Sequence, residues 1–234
     1  MSPTRLIVEG VELVRGELVV PPPVARHACV ARLAPGEPVE VLDLAGGVGI
    51  GRLVAWERGA CRVVVESVVY ERGEPPEPLR LALAVLHTAA FDWAVEKATE
   101  LGATKIVPVV SARTQRERRP DRPARWRRVA VAAVAQCGRS RPPVIGEAVA
   151  LGEVAARAEG LRLVADPAGL DGPLTSSGAG VTLLVGPEGG FSDEEREQIV
   201  AAGFLGVALG PRTLRAETAA VAALAVVQDR LGWR

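Results

Sequence analysis

Two glycine-bearing turns in the last third of the chain hold the residues best suited to chemistry. The first is Leu183-Leu-Val-Gly186-Pro187-Glu188-Gly189-Gly190-Phe191-Ser192, where Gly186, Gly189 and Gly190 allow a backbone to approach a ligand closely and to take φ values that a Cβ forbids. A helix expected from Asp193 presents free N–H groups to that loop, and Ser192 with Glu195 three residues later forms a capping-box pattern. No Gly-Lys-Ser/Thr follows, so the loop is not a phosphate-cradling P-loop. The second turn, Ala208-Leu209-Gly210-Pro211-Arg212-Thr213-Leu214-Arg215-Ala216-Glu217-Thr218-Ala219-Ala220, runs into a helix rich in Ala, Val and Leu. Their charged candidates are Glu188, Glu217 and Arg215. Either turn alone also reads as an ordinary βα connection, but both sit at expected C-terminal ends of parallel strands, where open α/β sheets bind ligands.

The elements that must position these turns follow from pattern. Downstream of Leu79 the chain alternates: strand Leu79–Leu86, helix Phe91–Leu101, strand Lys105–Val110, helix Pro123–Cys137, strands Leu161–Ala165 and Val181–Val185, helix Asp193–Ala202, strand Gly206–Leu209 and helix Ala216–Arg230. That order predicts an α/β domain with a parallel sheet over 79–234. Gly102 is placed as the C′ residue of the first of these helices. Glu74-Pro-Pro-Glu-Pro78 reads as a semi-rigid linker. Upstream, over 1–73, short Val- and Leu-rich runs separated by Gly and Pro predict a small β-barrel with one helix, Pro23–Leu33.

Val39-Glu-Val-Leu-Asp-Leu-Ala-Gly-Gly-Val-Gly-Ile-Gly51 looks like the strand and glycine loop of a nucleoside-cofactor site, with Glu66 at a plausible distance for the ribose. The stretch left for a crossover helix, Leu53 to Ala60, is shorter than the dozen or more residues a parallel connection needs. A barrel hairpin with glycines at positive φ is the preferred reading.

The chain's zero net charge is uneven. Between 111 and 141 ten arginines face only Glu117 and Asp121, a local +8 that attracts polyanions. With 48% hydrophobic residues the chain can bury a core, and no apolar run reaches the roughly 20 residues of a bilayer span, so no membrane association is expected. The N-terminus lacks an apolar signal-peptide core, and three cysteines without Cys-x-x-Cys spacing suit a reducing compartment; a cytoplasmic protein without a metal site is expected. His27 and His87 are too few for a metal and read as ordinary hydrogen-bonding residues. Aromatics at 3% argue against a base-stacking platform.

The two turns, together with Asp92-Trp-Ala-Val-Glu-Lys-Ala-Thr-Glu-Leu-Gly102, Lys105-Ile-Val-Pro108, Gln136, Gly138 and Arg139, resemble the RsmE family of SPOUT methyltransferases over most of residues 79–234. That family methylates N3 of a uridine in 16S ribosomal RNA. The resemblance implies an N-terminal PUA-like β-barrel, a C-terminal domain threaded into a deep trefoil knot, bent S-adenosylmethionine in the knot, and a homodimer. It places Gly186, Pro187, Gly189, Gly190, Leu209, Gly210, Leu214 and Thr218 at the cofactor. Arg215 would stabilise charge on the uracil or bind a phosphate, and Glu188 or Glu217 would accept the N3 proton, the choice staying open. Arg5, Arg32, Arg113, Arg116, Arg118, Arg119 and Arg139 would contact RNA in the small subunit, with His27 loosely placed beside them. His87, Ala90 and Ala135 depart from the family pattern. The competing readings are a SPOUT ribose 2′-O-methyltransferase and a non-catalytic ribosome-assembly factor that binds RNA.

Overall fold

The computed structural model describes residues 3–30, 32–57, 59–114, 123–170, 172–176 and 178–233. Its contacts divide the chain into two units, 1–74 with 131–142, and 75–130 with 143–234.

In the first unit, β1 (Thr4–Ile7), β2 (Gly16–Val20), helix α1 (Pro22–Val30), β3 (Pro38–Leu42), β4 (Gly47–Glu57) and β5 (Ala60–Tyr70) build one sheet of order β1-β3-β4-β5-β2. Only the β1–β3 pairing is parallel. Side chains alternate in and out along β4, and Leu6, Val20, Val41, Leu53 and Val63 fill the interior. The glycine run 46–51 belongs to the β3–β4 hairpin, but the expected conformation is corrected: in that run only Gly46 takes a positive φ. Asp43 Oδ1 accepts from the N–H groups of Ala45, Gly46 and Gly47 and shapes the turn. Gly51 instead serves close approach, since a Cβ there would overlap the Val64 carbonyl beside a register shift in the β4–β5 ladder. Glu66, the ribose candidate, pairs with Arg52 on the surface.

The second unit runs β6 (Leu79–Ala84), α2 (Thr88–Glu100), β7 (Lys105–Val110), the first half of α3 (Pro123–Cys137), β8 (Val144–Ile145), β9 (Val149–Ala150), α4 (Leu151–Arg157), β10 (Leu161–Leu170), β11 (Val181–Val185), α5 (Asp193–Ala201), β12 (Leu205–Val207) and α6 (Ala216–Arg230). Its sheet has the order β12-β10-β11-β6-β7-β8, with β9 also on β7, and every pairing is parallel. Because both faces are covered, the strands are apolar throughout. Leu81, Leu83, Leu163, Leu183 and Val185 face α2, α3 and α6, while Ala82, Val109, Val164 and Leu184 face α4 and α5. Helix α2 starts where His87 Nδ1 accepts from Ala90 N–H, and it ends at Gly102, whose φ is +84°.

Residues 131–142, which the sequence reading assigned to the α/β domain, pack with the first unit. Val134 meets Leu42 and Val48. Arg5 Nη1 donates to the Ala135 carbonyl at 2.8 Å and to that of Gln136, satisfying groups at the helix end that have no intrahelical partner. Arg72 Nε donates to the Gly138 carbonyl at 3.0 Å.

Candidate active site

The two glycine turns meet. The first leaves β11 and the second leaves β12, and both close on one cavity of about 500 Å3 at the C-terminal ends of these strands and of β10. Of the residues expected at the cofactor, Gly186, Pro187, Gly190, Leu209, Gly210 and Leu214 line it together with Glu188, whereas Gly189 and Thr218 lie outside the lining. Gly190 has φ +69° and Gly210 +95°, so each bends its turn in a region that side chains disfavour. Gly186 acts differently: a Cβ there would come within 2.9 Å of the Phe191 ring.

Helix α5 is fixed under the first turn by a complete capping box. Ser192 Oγ accepts from Glu195 N–H, and Glu195 Oε2 accepts from Ser192 N–H at 2.9 Å. Glu195 is buried, and its Oε1 takes a third bond from Ala112 N–H at 2.7 Å. Beyond it, Arg196, Ile199 and Val200 of α5, with Phe204, form one wall. Asp166 stands on the opposite strand, in the part of β10 where the pairing with β12 shifts register. Sequence reasoning missed Asp166, Arg196, Arg212 and Thr213. The strand-end rule that marked β11 and β12 applies equally to β10 and points to Asp166.

The catalytic candidates separate. Glu188 lines the cavity from an exposed loop position. Arg215 is the N-cap residue of α6, exposed, without a side-chain cap bond and outside the lining. Glu217, in the first turn of α6, is also outside the lining, and its Oε2 is buried with no hydrogen-bond partner.

Residues 73–228 match the RNA methyltransferase domain family. The ribosomal RNA small subunit methyltransferase E of Synechocystis is 32% identical over 211 residues, covering 86% of this chain and 69% of that protein. The methyltransferase E of Neisseria gonorrhoeae, solved bound to S-adenosyl methionine, superposes with TM-score 0.87 at 28% identity over 98% of both chains. A Legionella pneumophila protein solved in complex with the bound cofactor SAM gives 0.81 at 30% identity, again over 98% of both. The chain belongs to the ribosomal RNA small subunit methyltransferase E family.

For a member of this family the arginines divide by what they touch. Arg5 and Arg139, expected at the RNA, are engaged by carboxylates within the first unit. Arg5 Nε pairs with Glu40 at 2.9 Å, and Arg139 is 3% exposed against Glu74 at 2.6 Å, which leaves the Arg139 guanidinium closed to a phosphate. Glu40 also receives both terminal nitrogens of Arg72, at 2.7 and 2.8 Å. That bidentate bond holds the Glu40 carboxyl below the ordinary carboxylate range against the opposing effect of burial, with Arg5 helping. Arg32 is exposed at φ +54°. Arg113, Arg127 and Arg128 are exposed, and Arg125 forks onto Asp92. Arg116, Arg118 and Arg119 lie outside the described residues. No cluster of three His, Cys, Asp or Glu suited to a metal occurs among the described residues, and no helix there is long and apolar enough to cross a membrane.

Proposed function

We propose that the protein transfers a methyl group from S-adenosylmethionine to N3 of a uridine in 16S ribosomal RNA of the small subunit. The observation that carries this reading is the closure of two separate glycine turns on one cavity. The residues fit the cofactor. The volume suits a ligand of that size, Gly186 keeps free a space that a Cβ would fill, and Asp166 and Glu188 set negative charge beside a cationic ligand. The bound cofactor supplies an electrophilic methyl group on a sulfonium.

The chain's own residues then have three tasks. Backbone groups of Gly186, Gly190, Leu209, Gly210 and Leu214 hold the cofactor, while Val185, Phe191, Ile199 and Phe204 exclude water from it. The imide N–H of uracil must lose its proton before N3 can attack, and Glu188, the one of the two candidate carboxylates that lines the cavity, accepts it. Arg215, exposed at the head of α6, meets an RNA phosphate or a uracil oxygen. Arg113, Arg127 and Arg128 add phosphate contacts.

Three further features belong to the same proposal: a deep trefoil knot in the 79–234 domain, a PUA-like barrel before it, and a cytoplasmic homodimer. Pairing of two chains is supported by α6, which carries apolar residues on all sides. Ala219, Val221, Ala222 and Val226 are only half-buried there, and Glu217 Oε2 has no hydrogen-bond partner. Incubation with labelled cofactor and undermethylated 30S subunits, then with free RNA, followed by mass spectrometry of nucleosides, tests the proposal. N3-methyluridine is expected. A 2′-O-methylated nucleoside would identify a ribose methyltransferase, and failure to bind the cofactor would leave an assembly factor.

A further inference from the structure

Strand β7 ends in a turn, Ser111 to Thr114, that is closed on itself. Ser111 N–H donates to Thr114 Oγ1 at 3.0 Å, and Thr114 N–H donates back to the Ser111 carbonyl at 3.0 Å. Two bonds tie this turn to the first glycine loop. Glu195 holds Ala112 N–H with one oxygen and Ser192 N–H with the other. Arg113 Nη1 donates to the Gly189 carbonyl at 2.7 Å, and its stem lies over Gly189, where a Cβ would sit 3.5 Å from Arg113 Cβ and Cδ. Gly189 does not itself line the cavity, but its neighbours Glu188 and Gly190 do. Arg113 is exposed. It therefore touches the backbone of the cofactor loop with one nitrogen while presenting the remainder of a planar five-donor fork to solvent.

We propose that Arg113 is a positioning residue through which an RNA phosphate and the cofactor bind cooperatively. This rests on the methyltransferase reading above. An exposed arginine samples many rotamers, and holding it in the one that reaches Gly189 has an entropic cost. A phosphate gripped by the outer guanidinium nitrogens fixes that rotamer and keeps Nη1 on the Gly189 carbonyl. The loop is then ordered before the second ligand arrives, which meets a smaller ordering cost. Because the link is a coupling free energy, it acts equally in both directions. The turn itself is rigid, so the coupling runs through the side chain and the loop rather than through movement of β7.

Equilibrium dialysis of labelled S-adenosylhomocysteine against the full-length protein, with and without saturating undermethylated 30S subunits, measures the coupling factor. For the wild type the affinity is expected to rise at least threefold when the subunits are present. Arg113→Met is expected to bind the nucleoside several-fold more weakly alone and to gain less than 1.5-fold from RNA. Arg113→Lys, which has one ammonium for two acceptors, is expected to regain phosphate binding but only part of the coupling. Arg128→Gln, an exposed cation on α3, should weaken RNA binding and leave the coupling factor unchanged. A wild type without coupling, or Arg113→Met with full coupling, overturns the inference while leaving methylation of N3 standing. A wild type that binds S-adenosylhomocysteine in neither arm overturns both.

Discussion

Replacing Gly186 by alanine tests the cavity most directly. The added Cβ would lie 2.9 Å from Cε2 and Cζ of Phe191 and 3.3 Å from its Cδ2, closer than carbon atoms pack. The ring cannot withdraw easily, because Phe191 is buried in a cluster with Leu184, Ile199 and Phe204. Forcing a methyl group into such a site costs about 1–3 kcal/mol. The softest response is for the ring to swing toward the open side, which is the cavity that Phe191 lines. If that whole cost falls on the liganded state, affinity for S-adenosylhomocysteine drops about fivefold to about 140-fold, at about 1.4 kcal/mol per factor of ten. Calorimetric titration reads the affinity and thermal unfolding reads the stability. Gly102→Ala supplies the comparison. At φ +84° an alanine costs roughly 1–2 kcal/mol of stability, yet its nearest neighbours are 3.7 Å away and it does not line the cavity. Undiminished binding by Gly186→Ala, or an equal loss in Gly102→Ala, would refute the placement of the ligand.

Glu195→Ala removes the acceptor for the Ala112 and Ser192 N–H groups; a loss of about 1–3 kcal/mol in denaturant unfolding is expected for stranding such groups. Glu188→Gln should slow single-turnover methylation at saturating cofactor by roughly 100-fold or more with little change in cofactor affinity, and an unimpaired rate removes Glu188 from proton transfer. Because the folded-state pKa of Glu40 is depressed, its contribution to stability is complete above the ordinary value near 4.5 and is lost as pH falls through the folded value. Unfolding free energies of the wild type should therefore decline on acidification more steeply than those of Glu40→Gln, and parallel curves would contradict the Arg72–Glu40–Arg5 assignment. RNA binding carried by arginine–phosphate contacts should weaken steeply with added salt, and a flat response would rule them out.

Much of the second unit was legible in the sequence because its signals are local. Alternating apolar runs gave β6, β7, β10 and β11, Ser192 and Glu195 marked the start of α5, and Gly102 marked the end of α2. Helix α4 was missed: seven residues, Leu151–Arg157, begin after Ala150, which offers no side-chain cap. The glycine run 46–51 was placed correctly in a hairpin but for a partly wrong reason. At Gly49 and Gly51 the need for small residues comes from Val64 and Val65 on the neighbouring strand, which local pattern does not reveal.

The residue types and spacing alone established that two turns able to wrap a ligand lie at strand ends, and that cationic charge gathers between 111 and 141. Only the tertiary structure decided where the members of those sets lie and what they touch. It put Glu188 in the cavity lining and left Glu217 and Arg215 outside it. It also buried Arg139 on Glu74 and drew Arg5 onto Glu40, while leaving Arg113 exposed against the first glycine turn. The reason is that a charge or a turn is a property of a short stretch of chain. Whether it is available depends on a partner 35, 65 or 76 residues away, brought up by sheet register and packing.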